Sequence, residues 1–174
     1  DRSGSAMVSL TGGRTPRALY AALADTALPW RERIDWSRVH LFWGDERHVP
    51  PDHPDSNYGM AQEALIAHVP IPSDHVHRMR GELDAREAAR FYDDELTNTL
   101  ASTRRDRLFD VMLLGLGDDA HIASIFPNSP LLEDTAGLTR PAPQGGLTLP
   151  APQDGLTLPA PQDGLTRPAP QDGV

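Results

Sequence analysis

Ala6-Met7-Val8-Ser9-Leu10-Thr11-Gly12-Gly13-Arg14-Thr15-Pro16 is an apolar run, a glycine turn and the opening of a helix, in that order. The run Ala6 to Leu10 has the length and bounds of a buried strand. Thr15 as cap and Pro16 at the first helical position predict a helix through about Ala24. The pattern then recurs. Val39 to Trp43 is a second apolar strand, ending at Gly44-Asp45-Glu46-Arg47, and the prolines at 50, 51 and 54 predict a loop. Asp55-Ser56-Asn57 caps a helix to about His68, and Val76 to Met79 is a short strand. Asp84, with Glu87 three positions on, opens a helix to about Leu100. Phe109 to Leu114 is a third strand running into Gly115-Leu116-Gly117-Asp118-Asp119-Ala120-His121, after which Ile122 to Phe126 begins another helix. Strands alternating with helices predict an α/β fold, a Rossmann-like parallel sheet with helices on both faces and ligands beyond the carboxyl ends of the strands.

The alternation stops at Gly137. From there the chain reads as four copies of a nine-residue unit, GLT(L/R)PAPQ(D/G), closed by Gly173-Val174. Each copy has two prolines and little to bury, so residues 137–174 are expected to be a disordered or polyproline-like tail on a domain of residues 1–136. Two prolines in nine residues also argue against a stacked β-solenoid. A linker, a partner-binding tail and a repeat expansion without selected function remain open.

Composition narrows the chemistry. There are 25 acidic against 16 basic residues, a formal net charge of −9, so an extended polyanion such as nucleic acid is not the expected partner. Every basic residue is Arg, which excludes a Walker-type lysine and Schiff-base catalysis; the absence of Cys excludes thiol nucleophiles and thiolate metal sites. No apolar run approaches the roughly 20 residues that span a bilayer, and no secretory leader pattern opens the sequence, so a cytoplasmic location is expected.

Three strand ends carry polar or glycine-rich loops, at residues 11–15, 44–51 and 115–124, and in a parallel sheet all three lie along one edge. Gly12-Gly13 lets main-chain N–H groups approach an anion beside a helix amino end, a phosphate cradle; glycine turns before helices are also ordinary punctuation. Arg47 is suited to clamp a phosphate, oriented by Asp45 or Glu46, although Asp45-Glu46-Arg47 alone reads as a solvated ion-pair cluster. His121 stands out among seven histidines because it follows a strand and a glycine loop, with Asp118 and Asp119 beside it.

Taken together, Gly12-Gly13-Arg14-Thr15-Pro16, Trp43-Gly44-Asp45-Glu46-Arg47-His48-Val49-Pro50, Asp55-Ser56-Asn57-Tyr58 and Gly115 through Pro127 resemble, in order and spacing, the signatures of the 6-phosphogluconolactonase family. The resemblance runs over residues 8 to about 135 and implies hydrolysis of 6-phosphoglucono-δ-lactone to 6-phosphogluconate in the pentose phosphate pathway, without metal or organic cofactor. It implies His121 as general base, oriented by Asp118 or Asp119, with Gly12, Gly13, Arg14, Thr15 and Arg47 around the 6-phosphate and Asp45 and Asn57 in support. The partner so implied is a small phosphosugar lactone.

The chain departs from that family pattern in places. Ala120 and Ile122 stand where the family usually has Gly and Thr, and Arg14 stands where it has a small residue. If position 120 needs φ > 0, Ala there costs on the order of 1 kcal/mol. Family members also continue with further strands and helices where this chain has its repeat, which predicts an incomplete sheet with exposed apolar surface. Two alternatives follow from these departures: an inactive remnant or phosphosugar-binding module, and, from the related deaminases, an aminosugar-phosphate deaminase.

Overall fold

The computed structural model describes residues 4–103, 108–118, 120–129, 140–141 and 155–157. Strand β1 (Ala6–Leu10) is the centre of a parallel three-stranded sheet. It pairs with β2 (Val39–Trp43) from Ala6↔Val39 to Leu10↔Trp43 on one side, and with β4 (Val111–Met112) at Val8↔Val111 on the other. Between β2 and β4 the chain forms β3 (Asp45–Arg47), α2 (Asn57–Ala64) and α3 (Ala85–Thr103); α1 (Arg14–Ala24) links β1 to β2.

Alternation along the strands assigns the helices to faces. Met7 and Phe42 point into a core with Ala88, Ala89, Tyr92 and Leu96 of α3. Leu10, Leu41 and Trp43 point the other way, into a core with Tyr20 of α1 and Ala61 of α2, against which Val8 packs. The sheet is therefore layered between α1 and α2 on one side and α3 on the other, the doubly covered arrangement its sequence predicts. Among the described residues no helix is long and apolar enough to cross a membrane.

Several boundaries differ from the sequence reading. Helix α1 begins at Arg14, not after Thr15, because Gly13 at φ 109° takes the cap position. The third strand shrinks to two residues, and Val76 contributes a single parallel bridge to Leu41 rather than a strand. Helix α2 stops at Ala64 and is followed by a 3₁₀ turn, Ile66–His68. No helix follows His121: Ile122 and Ile125 close a turn on each other through N–H···O bonds of 3.1 and 2.9 Å, with Ala123 at φ 53°. On β4 and the stretch after it Val111, Leu114, Leu116 and Ile122 are exposed.

Of the repeat tail two short pieces are described, and both are strands. β5 (Arg140–Pro141) and β6 (Gly155–Thr157) form an antiparallel sheet with β3 in the order β3-β6-β5. β6 is the proline-free Gly-Leu-Thr of the repeat, and Pro141 lies on the outer strand, where a missing N–H is tolerated. The remainder of the tail, and the disorder expected of it, lies outside the described residues.

Candidate active site

At the carboxyl end of β1, Thr11 is buried and leads into Gly12-Gly13. A Cβ on Gly12 would collide with the Asn57 carboxamide, and the positive φ of Gly13 strains any other residue. Helix α1 opens on this glycine with no side-chain cap bond, leaving Arg14 and Thr15 exposed in its first turn. Main-chain donors and the positive helix end thus face outward at the predicted cradle.

Beyond β2, the acidic loop is the opposite of a solvated cluster: Asp45 and Glu46 are only 3 % and 2 % exposed. Donors from residues 56–58, with the neighbouring Arg47 amide, account for the inversion at Glu46. Glu46 receives the N–H groups of Arg47 (2.8 Å), Asn57 (2.7 Å) and Tyr58 (2.8 Å) and the Ser56 hydroxyl (3.1 Å). It thereby satisfies the first amides of α2 alongside Ser56, whose hydroxyl accepts from Gly59 N–H at 2.9 Å. Burial pushes its carboxyl above the ordinary value, and these bonds oppose that. Glu46 is accordingly a structural anchor, not an orienter of Arg47.

Asp45 is where the loops meet. The Asn57 amide nitrogen donates to its main-chain oxygen (3.0 Å), and the buried Ser124 hydroxyl donates to its carboxylate (2.9 Å). Burial raises the Asp45 carboxyl above its ordinary value; the Ser124 bond, then the charges of Arg47 and His121, pull it back. Arg47 is half-buried and makes no ion pair among the described residues.

His121 sits in a tight turn. Gly117 N–H donates to the His121 carbonyl, and Ala120 N–H to the Gly117 carbonyl, both at 2.9 Å. The imidazole leans on the Phe126 ring, centroids 4.9 Å apart. Ala120 has φ 67°, so the condition that makes alanine costly there is met.

Of the sequence-predicted residues, Gly12, Asn57, Asp45 and the His121 turn fall into one connected group, joined by Ser124, with Gly13, Arg14, Thr15 and Arg47 at its margins. Asp118 is exposed on the turn, and Asp119 lies outside the described residues. The buried carboxylate at the meeting point of the loops is Asp45, which the sequence marked only as support. Ser124 was missed as a site residue, although it lies within the glycine-histidine motif. Among the described residues no group of three or more His, Asp or Glu side chains is disposed to hold a metal ion.

Comparison with known proteins gives the family and fold to which this site belongs. A family profile described as "Glucosamine-6-phosphate isomerases/6-phosphogluconolactonase" matches residues 1–160. The chain is 45 % identical over 140 residues to a 6-phosphogluconolactonase of Mycobacterium tuberculosis, covering 76 % of this chain and 54 % of that protein. With its counterpart from Haemophilus influenzae the identity is 39 % over 127 residues, covering 73 % and 52 %. The fold resembles the solved 6-phosphogluconolactonase of Trypanosoma brucei at TM-score 0.74 and 32 % identity, over 91 % of this chain and 65 % of that one. A Thermotoga maritima 6-phosphogluconolactonase gives 0.72 and 33 %, over 89 % and 63 %. The chain spans about half the length of the curated relatives it matches.

Proposed function

Because the chain belongs to the glucosamine-6-phosphate isomerase/6-phosphogluconolactonase family, we propose that it hydrolyses 6-phosphoglucono-δ-lactone to 6-phosphogluconate. The observation that carries the reading is His121 on a tight turn beside Ser124, whose hydroxyl holds the Asp45 carboxylate buried at the carboxyl edge of a parallel sheet. In the proposed reaction neutral His121 takes a proton from a water attacking the lactone carbonyl. The tetrahedral intermediate then collapses, the C–O bond to the ring oxygen breaks, and that oxygen recovers the proton from His121. The Asp45 carboxylate, held by the Ser124 hydroxyl, would lie at the same sheet edge as a partner for the proton His121 carries between these steps. Gly12, Gly13, Arg14 and Thr15 at the amino end of α1, with Arg47 opposite, would receive the 6-phosphate and hold the ring over His121. Asp118 and Asp119, which shortly precede the histidine in the sequence, would help to orient its ring.

The test is the hydrolysis of freshly prepared lactone against its spontaneous rate. Acceleration abolished by His121→Ala is the expected result. Ala120 at φ 67° favours a second reading, a phosphosugar-binding module with a misaimed histidine. A rate no faster than spontaneous, together with retained binding of 6-phosphogluconate, would select that second reading.

A further inference from the structure

Two buried tyrosines stand behind the loops of this site and make the same pair of bonds. Tyr20 of α1 donates its hydroxyl to the Thr11 carbonyl at 2.9 Å and accepts the Thr11 N–H at 3.0 Å. Tyr92 of α3 accepts the Trp43 N–H at 2.8 Å and donates to the Trp43 carbonyl at 3.2 Å. Leu10 and Trp43 are register partners, so the two clasps act at the carboxyl ends of neighbouring strands, from helices on opposite faces of the sheet.

The clasp at Thr11 has the larger consequence. Register pairing of β1 with β2 ends at Leu10, whose carbonyl accepts from Gly44 N–H at 2.9 Å, so the Thr11 N–H and carbonyl are left to Tyr20. Thr11 is the last residue before Gly12-Gly13, the part of the loop with the greatest backbone freedom. Tyr20 is fully buried and its hydroxyl meets only main chain, so it cannot touch a ligand in the loop. It can decide where the loop starts. We propose that Tyr20 is a positioning residue for the anion cradle, aiming the main-chain donors of Gly12, Gly13 and the first turn of α1 at the phosphate of the substrate. The proposal rests on the phosphosugar reading above.

The experiment compares unaltered chain with Tyr20→Phe, which keeps the ring and removes only the hydroxyl. Binding of 6-phosphogluconate is followed by calorimetry, and KM and kcat are taken from lactone hydrolysis. The variant should weaken binding and raise KM about tenfold while kcat stays within about twofold; a purely structural role would lower the active fraction and leave Kd and KM unchanged. Equal Kd in both proteins overturns the positioning role. Failure of the unaltered chain to bind overturns the phosphosugar reading itself, which separates the two failures. Should Tyr20→Phe not fold, hydrogen exchange in the unaltered chain decides. Thr11 N–H should be protected without ligand, and Gly13 and Arg14 should gain protection with 6-phosphogluconate. Unprotected Thr11, or no gain at those two amides, overturns the proposal.

Discussion

Alkaline titration isolates the clasp between Tyr20 and Thr11. Burial holds the Tyr20 phenol up at about 12, against an ordinary value of 10.0. A folded-state value above the unfolded one means that stability is fully present below pH 10 and is lost as pH rises towards 12. Each unit is worth about 1.4 kcal/mol, so by pH 11 the folded protein should have lost about 1.4 kcal/mol through Tyr20, and by pH 12 somewhat over 2. Other groups titrate in the same range, Tyr92 among them, since burial raises its phenol as well. The comparison with Tyr20→Phe cancels them. At pH 8 the variant is less stable, because the Thr11 N–H and carbonyl lose their partner. At pH 11 the gap between the two proteins should be smaller by about 1.4 kcal/mol, read from urea midpoints with the slope held common. A gap of the same size at both pH values would refute the buried clasp, for it would show a phenol that ionises as readily in the folded chain as in the unfolded one.

Gly12→Ala should destabilise the chain by about 1–3 kcal/mol and weaken phosphosugar binding, because its methyl displaces the Asn57 carboxamide from Asp45; urea unfolding and calorimetry read the two effects. Ser124→Ala removes the bond that lowers the Asp45 carboxyl, so the acid limb of the pH–rate profile should move to higher pH, with a stability loss of about 2 kcal/mol. Ala120→Gly relieves on the order of 1 kcal/mol of left-handed strain at φ 67°, while the added glycine loosens the unfolded chain by a similar amount. Its urea midpoint should hardly move, and hydrolysis should quicken about fivefold as the His121 turn settles; slower hydrolysis would count against a misaimed histidine.

What the sequence made legible depended on whether the deciding interaction was local. β1 and β2 have the expected bounds because apolar runs closed by Thr11-Gly12 and by Gly44 leave little choice of register or end. The start of α1 was misplaced by two rules in competition: Thr15-Pro16 has the side-chain chemistry of a helix start, but Gly13 supplies the backbone angle that ends the loop first. The stretch after His121 looks helical by composition, and the positive φ of Ala120 and Ala123, which no side chain there advertises, turns it into a tight loop. Asp45 and Glu46 were the hardest to read. Acidic residues default to solvent, and the groups that draw these two inward come from residues 56–58 and, for Asp45, from Ser124, 79 positions away.

That long-range link changes how the site is ranked. Asn57 fills the space above Gly12 and holds Asp45, and Ser124 ties Asp45 to the turn that carries His121. The acidic stretch, the Asn57 turn and the Ser124 stretch, which look independent along the chain, are one hydrogen-bonded unit with Gly12 packed against it, and its common member is a carboxylate that reads as solvated from its triplet alone. A side chain at Gly12 would press on Asn57, which holds Asp45, so altering the phosphate loop should disturb catalysis as well as binding. The converse also holds. Because Tyr20 grips Thr11 on the other side of Gly12, loosening that grip leaves the Asn57–Asp45–Ser124 link intact. Variants at Tyr20 and at Asp45 should therefore separate affinity from chemistry, the first changing binding and the second the rate.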